Sequence, residues 1–403
     1  MIRTSPAARL DQALALRLER QHALGRYRER HTWNRSGVRT VLAGREMLNF
    51  ASNDYLGLAT DPRLAEAMAQ GAYRYGSGSS ASALVCGHQT PHAALESRLA
   101  EWTGRERALL FSSGYQANLG VITALAGRHT RVLHDRLNHA SLLDATRLAG
   151  ARPERYPHGD TEAARARLAA SGGGGLLISD GVFSMDGDCA DVAALARLAE
   201  RFDATLMIDD AHGVGVLGER GAGVLEAQAV EASQVPVLVG TLGKALGTEG
   251  AFVAGSATLI DALSQFSRPW IYSTSPSPAL AHATLAALDI ACDERERRAH
   301  LHALIAYFRR EAAALSRYRV RLPASLTPIQ PLIVGDGDEA TLLKLARALR
   351  AEGLFCAAIR PPTVPAGSAR LRMTLSAAHH FEDIDRLLTA LERHLMALER
   401  CNS

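Results

Sequence analysis

From about residue 60 to residue 290, short apolar runs alternate with stretches of helical spacing. The runs are Ala108-Leu109-Leu110-Phe111, Arg131-Val132-Leu133-His134, Leu176-Leu177-Ile178-Ser179, Leu206-Met207-Ile208-Asp209 and Val237-Leu238-Val239-Gly240. Strands apolar on consecutive positions need cover on both faces, which a parallel sheet flanked by helices supplies. The alternation therefore predicts an α/β fold, a mostly parallel sheet with helices on both faces. Ligands of such sheets gather at the carboxyl ends of the strands. Gly172-Gly173-Gly174-Gly175 reads either as a flexible linker or, because a strand follows directly, as a surface loop; the domain is not split there.

The flanks differ in character. Leu10, Leu14, Leu18 and Leu24 recur among Arg, Glu and Gln, describing an amphipathic helix over residues 9 to 30 that must dock on something. A hairpin over Arg39 to Leu48 follows, so residues 1–56 read as an arm. Residues 57–290 form the large domain. Beyond them, Ile329-Gln330-Pro331-Leu332-Ile333-Val334, a helix near 339 to 352, the loop Arg360-Pro361-Pro362-Thr363-Val364-Pro365, the run Arg370 to Leu375 and a terminal helix predict a smaller α+β domain over 291–403. A net charge of +3 is too small to argue for nucleic acid or an anionic membrane. Cys86, Cys189, Cys292, Cys356 and Cys401 contain no C-x-x-C pair, so neither a disulfide framework nor a metal site is expected. Without an apolar leader or a long apolar run, the chain reads as cytoplasmic.

Two strand ends carry the most telling chemistry. Asp209-Asp210-Ala211-His212 closes one apolar run, and Thr241-Leu242-Gly243-Lys244-Ala245-Leu246-Gly247 follows the next. An acid and an amine at adjacent strand ends can grip opposite ends of one flat ring. Pyridoxal phosphate needs a Lys to tether its aldehyde and an acid to keep its ring nitrogen protonated. Asp209 also fits a helix N-cap, a task open to Asp210 instead. His212 is either a partner of the cofactor's phenolic oxygen or a loop histidine. Phe111-Ser112-Ser113-Gly114-Tyr115 ends a strand ahead of a helix, where free backbone N–H groups favour a phosphate. His139, in Asp135-Arg136-Leu137-Asn138-His139, stands at another such turn and either stacks on the ring or is structural. Gly76-Ser77-Gly78-Ser79-Ser80-Ala81-Ser82 is either a linker or a wrap around an acyl or phosphate group.

Assembled, these residues resemble the pyridoxal-phosphate α-oxoamine synthase family. The resemblance runs from about Asn49 to about Asp385, through Ser52-Asn53-Asp54-Tyr55-Leu56-Gly57-Leu58, Leu137-Asn138-His139-Ala140-Ser141-Leu142, Gly181-Val182-Phe183-Ser184-Met185-Asp186-Gly187-Asp188, Asp209-Asp210-Ala211-His212-Gly213 and Thr241-Leu242-Gly243-Lys244. The loop Ile359-Arg360-Pro361-Pro362-Thr363-Val364-Pro365 is similar to the version in the branch serving biotin biosynthesis. The resemblance implies an aminotransferase-like large domain and decarboxylative condensation of L-alanine with pimeloyl-CoA or a pimeloyl carrier protein. It makes Lys244 the Schiff-base lysine and the base at Cα, Asp209 the ring-nitrogen partner, His212 the phenolic-oxygen partner and His139 the stacking ring. Gly114, Tyr115, Ser184 and Thr241 would hold the cofactor. Arg372 would pair with the amino acid carboxylate near Asn53, Thr363 and Arg360 would line the acyl channel, and Arg28 would meet the distal acid. Ser77 would leave room for the methyl of alanine. It also implies a homodimer with shared sites, Ser273 and Thr274 of one chain reaching the phosphate in the other. The chain departs from the family at Thr248-Glu249, where Glu249 is expected to face solvent, and over its first thirty residues. Two other readings stand beside this one: a synthase using glycine or serine with another acyl-CoA, and a silent cofactor-binding module.

Overall fold

The computed structural model describes residues 5–402. It opens with the helix Pro6–Ala23, capped by the Ser5 hydroxyl, and the hairpin β1 (Arg39–Leu42) and β2 (Arg45–Asn49). The helix is shorter than its leucine repeat predicted, because the chain turns at Gly25 with φ of +63°. None of its residues is buried, and Leu10, Leu14 and Leu18 are 60%, 41% and 51% exposed. The expected docking surface is thus absent among the described residues of a single chain.

The central sheet contains β3 (Arg107–Phe111), β4 (Arg131–Asp135), β5 (Arg152–Tyr156), β6 (Leu176–Asp180), β7 (Thr205–Asp209), β8 (Val237–Thr241) and β9 (Ala251–Gly255), in the order β3-β9-β8-β7-β6-β4-β5. β9 runs antiparallel to both neighbours, and the pairings from β8 through β5 are parallel. Every residue of β6, β8 and β9 is buried. Each large aliphatic side chain buried this way contributes roughly 1.5–3 kcal/mol. Two strands were not foreseen. β5 is the polar edge sequence Arg-Pro-Glu-Arg-Tyr, and β9, Ala-Phe-Val-Ala-Gly, is apolar but follows β8 with no helix between them, outside the strand–helix alternation.

The four-glycine stretch is an ordered loop ahead of β6. Gly174 donates its N–H to Phe202 O at 2.7 Å, and a Cβ at Gly173 would lie 2.4 Å from that carbonyl. The C-terminal part holds a second sheet of β10 (Val320–Arg321), β11 (Ile329–Val334), β13 (Ala357–Ile359) and β14 (Arg370–Thr374), and the terminal helix Phe381–Asn402. Its β12 (Leu354–Phe355) pairs in parallel with β2, so the hairpin of the arm joins this end of the molecule. No helix among the described residues is long and apolar enough to cross a membrane.

Candidate active site

β6, β7 and β8 end at Asp180, Asp209 and Thr241, and their carboxyl ends open into one cavity. Around it stand Gly114 and Tyr115 from the first turn of the helix Gly114–Leu125, then His139, Ser184, His212 and Lys244. The sheet register sets this convergence: Asp180 lies opposite Asp209, and Asp209 opposite Val239, two residues before Thr241.

A hydrogen-bonded chain crosses the site. Lys244 Nζ lies 2.9 Å from His212 Nε2, His212 Nδ1 lies 2.7 Å from the Tyr55 hydroxyl, and that hydroxyl lies 3.2 Å from Asn53 Oδ1. Arg372 Nη2 donates to the same Asn53 oxygen at 3.1 Å. An ammonium has only protons to give, so His212 accepts at Nε2, donates at Nδ1, and leaves the Tyr55 proton for Asn53. The amine and the guanidinium are thereby joined through three intervening side chains. Burial, then the Lys244 charge, holds the His212 imidazole well below its ordinary range, consistent with a neutral ring in this chain of bonds. Burial likewise lowers Lys244 to about 8, against the opposing pull of Asp209.

Asp209 is 7% exposed. Its Oδ1 accepts the Ala211 N–H at 3.0 Å and its Oδ2 accepts Asn118 Nδ2 at 2.7 Å. The helix cap falls to its neighbour: Asp210 Oδ2 accepts the Val224 N–H at 2.7 Å, where the short helix Val224–Ala227 begins. A Cβ at Gly213 or Gly223 would lie 2.0 or 1.9 Å from the Asp210 carboxylate, so both positions require glycine.

The residues expected at the substrate divide into groups. Arg372, on β14, donates Nε to Ser184 O and Nη2 to Asn53, which brings it to the cavity rim. Arg28 and Thr363 meet each other, Nη2 to Oγ1 at 3.3 Å, and Arg360 donates to Gly25 O. These three form a separate cluster between the arm and the C-terminal part, outside the Lys244 cavity of this chain. Ser77 is exposed. The stretch after it is pinned rather than free: Ser79 Oγ donates to Ser275 O at 2.6 Å, and Ser82 bridges Thr274. Ser273 and Thr274 accordingly line a different pocket of this chain. Glu249 faces solvent, as its position predicted.

Sequence reasoning passed over Asn118, Tyr55 and Asp180. Tyr55 lay inside a motif but carried no stated role. Asn118 was visible only as a helix residue one turn beyond Gly114, a spacing that returns its side chain toward β7.

The residues fit pyridoxal phosphate. A buried carboxylate with no ion pair among the described residues stands on one side of the cavity and a lysine of lowered basicity on the other. Between them, a Cβ at Gly114 would meet open space at a helix N-terminus suited to a phosphate.

The model for aminotransferase class I and II matches residues 45–391. The 8-amino-7-oxononanoate synthase of Pseudomonas putida KT2440 is 54% identical across 97% of this chain and 99% of its own length. That of Alkalilimnicola ehrlichii is 57% identical across 86% and 88%. Among solved structures, a serine palmitoyltransferase from S. paucimobilis with a bound PLP–myriocin aldimine superposes with TM-score 0.90 at 26% identity, covering 98% of this chain and 100% of the other. An 8-amino-7-oxononanoate synthase from Francisella tularensis superposes with TM-score 0.77 at 27% identity, covering 88% and 99%.

Proposed function

This chain belongs to the class I and II aminotransferase family, in its 8-amino-7-oxononanoate synthase branch, and from that premise we infer its reaction and the duties of its residues. It is a pyridoxal-phosphate enzyme of biotin biosynthesis that condenses L-alanine with a pimeloyl thioester, releasing carbon dioxide and the thiol carrier and forming 8-amino-7-oxononanoate. When bound, the cofactor supplies the electron sink that lets alanine react at Cα.

The observation that carries the assignment of residues is the chain Lys244–His212–Tyr55–Asn53–Arg372. Lys244 would tether the cofactor and would take and return the proton at the alanine Cα. A value near 8 leaves it able to do both at neutral pH. Asp209 holds a proton at the ring nitrogen, fixed for that task by Asn118. His212 would pass from the lysine to the phenolic oxygen, with Tyr55 fixing its tautomer. His139 would stack on the ring, Gly114, Tyr115, Ser184 and Thr241 would hold the cofactor, and Arg372 would grip the alanine carboxylate beside Asn53.

The Arg28, Thr363 and Arg360 cluster receives the acyl chain and its distal acid, and Ser77 admits the alanine methyl. The chain works as a cytoplasmic homodimer: Leu84, Val85 and Tyr272 are 54%, 77% and 71% exposed around the stretch that pairs with Thr274, an apolar surface suited to a second copy that Ser273 and Thr274 would enter. The working division is 1–56, 57–290 and 291–403. Incubation with pimeloyl-CoA or a pimeloyl carrier protein and alanine, glycine or serine, followed by mass analysis, tests the reading. Product from alanine supports it. Product from glycine or serine alone overturns the substrate assignment, and no thiol release from any of them overturns the reaction.

A further inference from the structure

Three neighbouring strands, β4, β6 and β7, each end on an aspartate: Asp135, Asp180 and Asp209. All three are buried, at 2%, 4% and 7% exposure. Asp180 lies opposite Asp209 in the register, with Asp135 one residue out of step on the next strand, and carboxylates this near in a desolvated site cannot all be ionised without a large penalty unless donors or cations compensate each of them.

The compensation is uneven. Asp135 accepts from Leu137 N at 2.8 Å, Gly159 N at 2.8 Å and the His158 ring at 2.9 Å. Asp209 accepts from Ala211 N and Asn118 Nδ2, one donor to each oxygen. Asp180, in the middle, accepts at Oδ2 from the His139 N–H at 3.1 Å, and its Oδ1 is buried with no partner among the described residues. It nonetheless lines the cofactor cavity. The groups that face it are Asp209, Asp135, Lys244 and Tyr156. Complete burial, then the neighbouring Asp209, raises its carboxyl well above the ordinary range, with the Lys244 charge a smaller opposing influence.

We propose that Asp180 is a positioning residue that keeps its proton: Oδ2 clamps the His139 backbone, while a proton on Oδ1 leaves the cavity's negative charge on Asp209 alone. The proposal rests on the cofactor reading above and deepens it. Two carboxyl groups in one site with unequal donors divide the labour, one neutral and one charged. Here the neutral one also fixes the turn that carries the stacking histidine, a link strengthened by Asn138, which donates to Ile178 O at 2.8 Å and accepts the Asp180 N–H at 3.0 Å.

The test compares cofactor-loaded wild type with Asp180→Asn and Asp180→Ala. Infrared difference spectra of wild type against Asp180→Asn should show the carbonyl stretch of a protonated carboxyl, and its absence would overturn the proposal regardless of turnover. Asp180→Asn, which keeps a neutral group able to accept from His139, should retain activity to within about twofold and leave unmoved the pH at which the visible absorbance of the bound cofactor changes. A fall in that pH by about one unit would mean that Asp180 had carried charge beside Lys244, and would overturn the proposal. Asp180→Ala should lower kcat roughly tenfold through loss of the clamp, restored in Asp180→Asn. Wild-type kcat in Asp180→Ala would remove the positioning role. Should the chain prove inactive with every amino acid, the infrared and absorbance results still decide on Asp180, so the two readings fail separately.

Discussion

The rate at which the cofactor-free protein captures pyridoxal phosphate should rise with pH through a single titration centred near 8. Covalent capture needs the neutral amine of Lys244, and the ammonium is inert. Burial lowers this lysine from 10.5 to about 8, with Asp209 pulling the other way. At pH 7 an ordinary lysine is neutral in roughly one molecule in 3,000 and one titrating near 8 in roughly one in ten, so the environment supplies about a 300-fold gain in reactive amine. The sign is fixed by the direction of the shift: below the midpoint the ammonium dominates and capture is slow, and above it the rate reaches a plateau. Stopped-flow absorbance after mixing with pyridoxal phosphate, from pH 6 to pH 10, measures it. Asp209→Asn removes a charge that favours the ammonium and should move the midpoint down. A rate still climbing at pH 10, or one indifferent to pH, would refute the assignment of this lysine as a desolvated amine.

Lys244→Ala should abolish turnover and leave the circular dichroism spectrum and unfolding temperature near those of wild type; measurable product would exclude the lysine from the chemistry. Arg372→Lys loses the fork that bonds Ser184 O and Asn53, and should raise KM for alanine by roughly 10- to 100-fold, the worth of one charge-assisted hydrogen bond, with a smaller effect on KM for the thioester. Asn118→Leu strips one donor from the Asp209 carboxylate and should weaken cofactor affinity by at least roughly tenfold, read by equilibrium titration of absorbance. His158, held by Asp135 at 2.9 Å and Asp188 at 2.8 Å, is pushed up to about 10: burial of its ring opposes the charge, and the two carboxylates outweigh it. Its stabilisation is therefore complete below about 6.5 and is lost as pH climbs through about 10, so the unfolding temperatures of wild type and His158→Gln should converge over that window.

The parallel strands and the acid and amine at their ends were legible because each is local. Burial on both faces writes consecutive apolar residues, and a polar residue closing such a run is conspicuous. Asp209, His212, Thr241 and Lys244 were readable on those terms. β5 was not, because an edge strand of Arg, Pro and Glu has no apolar signature, and β9 was not, because it follows β8 with no intervening helix and runs antiparallel, outside the alternation that marks the others. Asn118 and Tyr55 act on partners far along the chain, Asp209 and His212. Nothing in a local window marks such a partner; only the register of the sheet brings them together. The arm helix failed in the opposite direction. Its periodicity was plain, and yet none of its residues is buried in the described chain.

The segment Ser184 to Asp188 shows why the two ends of the molecule form one site. Gly187 takes φ of +73° and a Cβ there would lie 2.4 Å from Ile329 O, so only glycine lets the loop lie against β11. Ser325 Oγ and Thr327 Oγ1 both donate to Gly187 O at 2.9 Å, and Arg370 pairs with Asp186. On the opposite side His158 holds Asp188 to the strand end that carries Asp135. The loop is thus fastened to both sheets, and Arg372 bonds the carbonyl of Ser184 within it. A guanidinium that grips a carboxylate while bonded to that carbonyl cannot shift without shifting Ser184, which lines the cofactor cavity. Recognition of the amino acid and placement of the ring therefore share one rigid connection, so substitutions at Arg370 or Asp186, which touch neither ligand, should disturb KM for alanine and cofactor affinity together. Independent changes in the two would mean that the connection is slack.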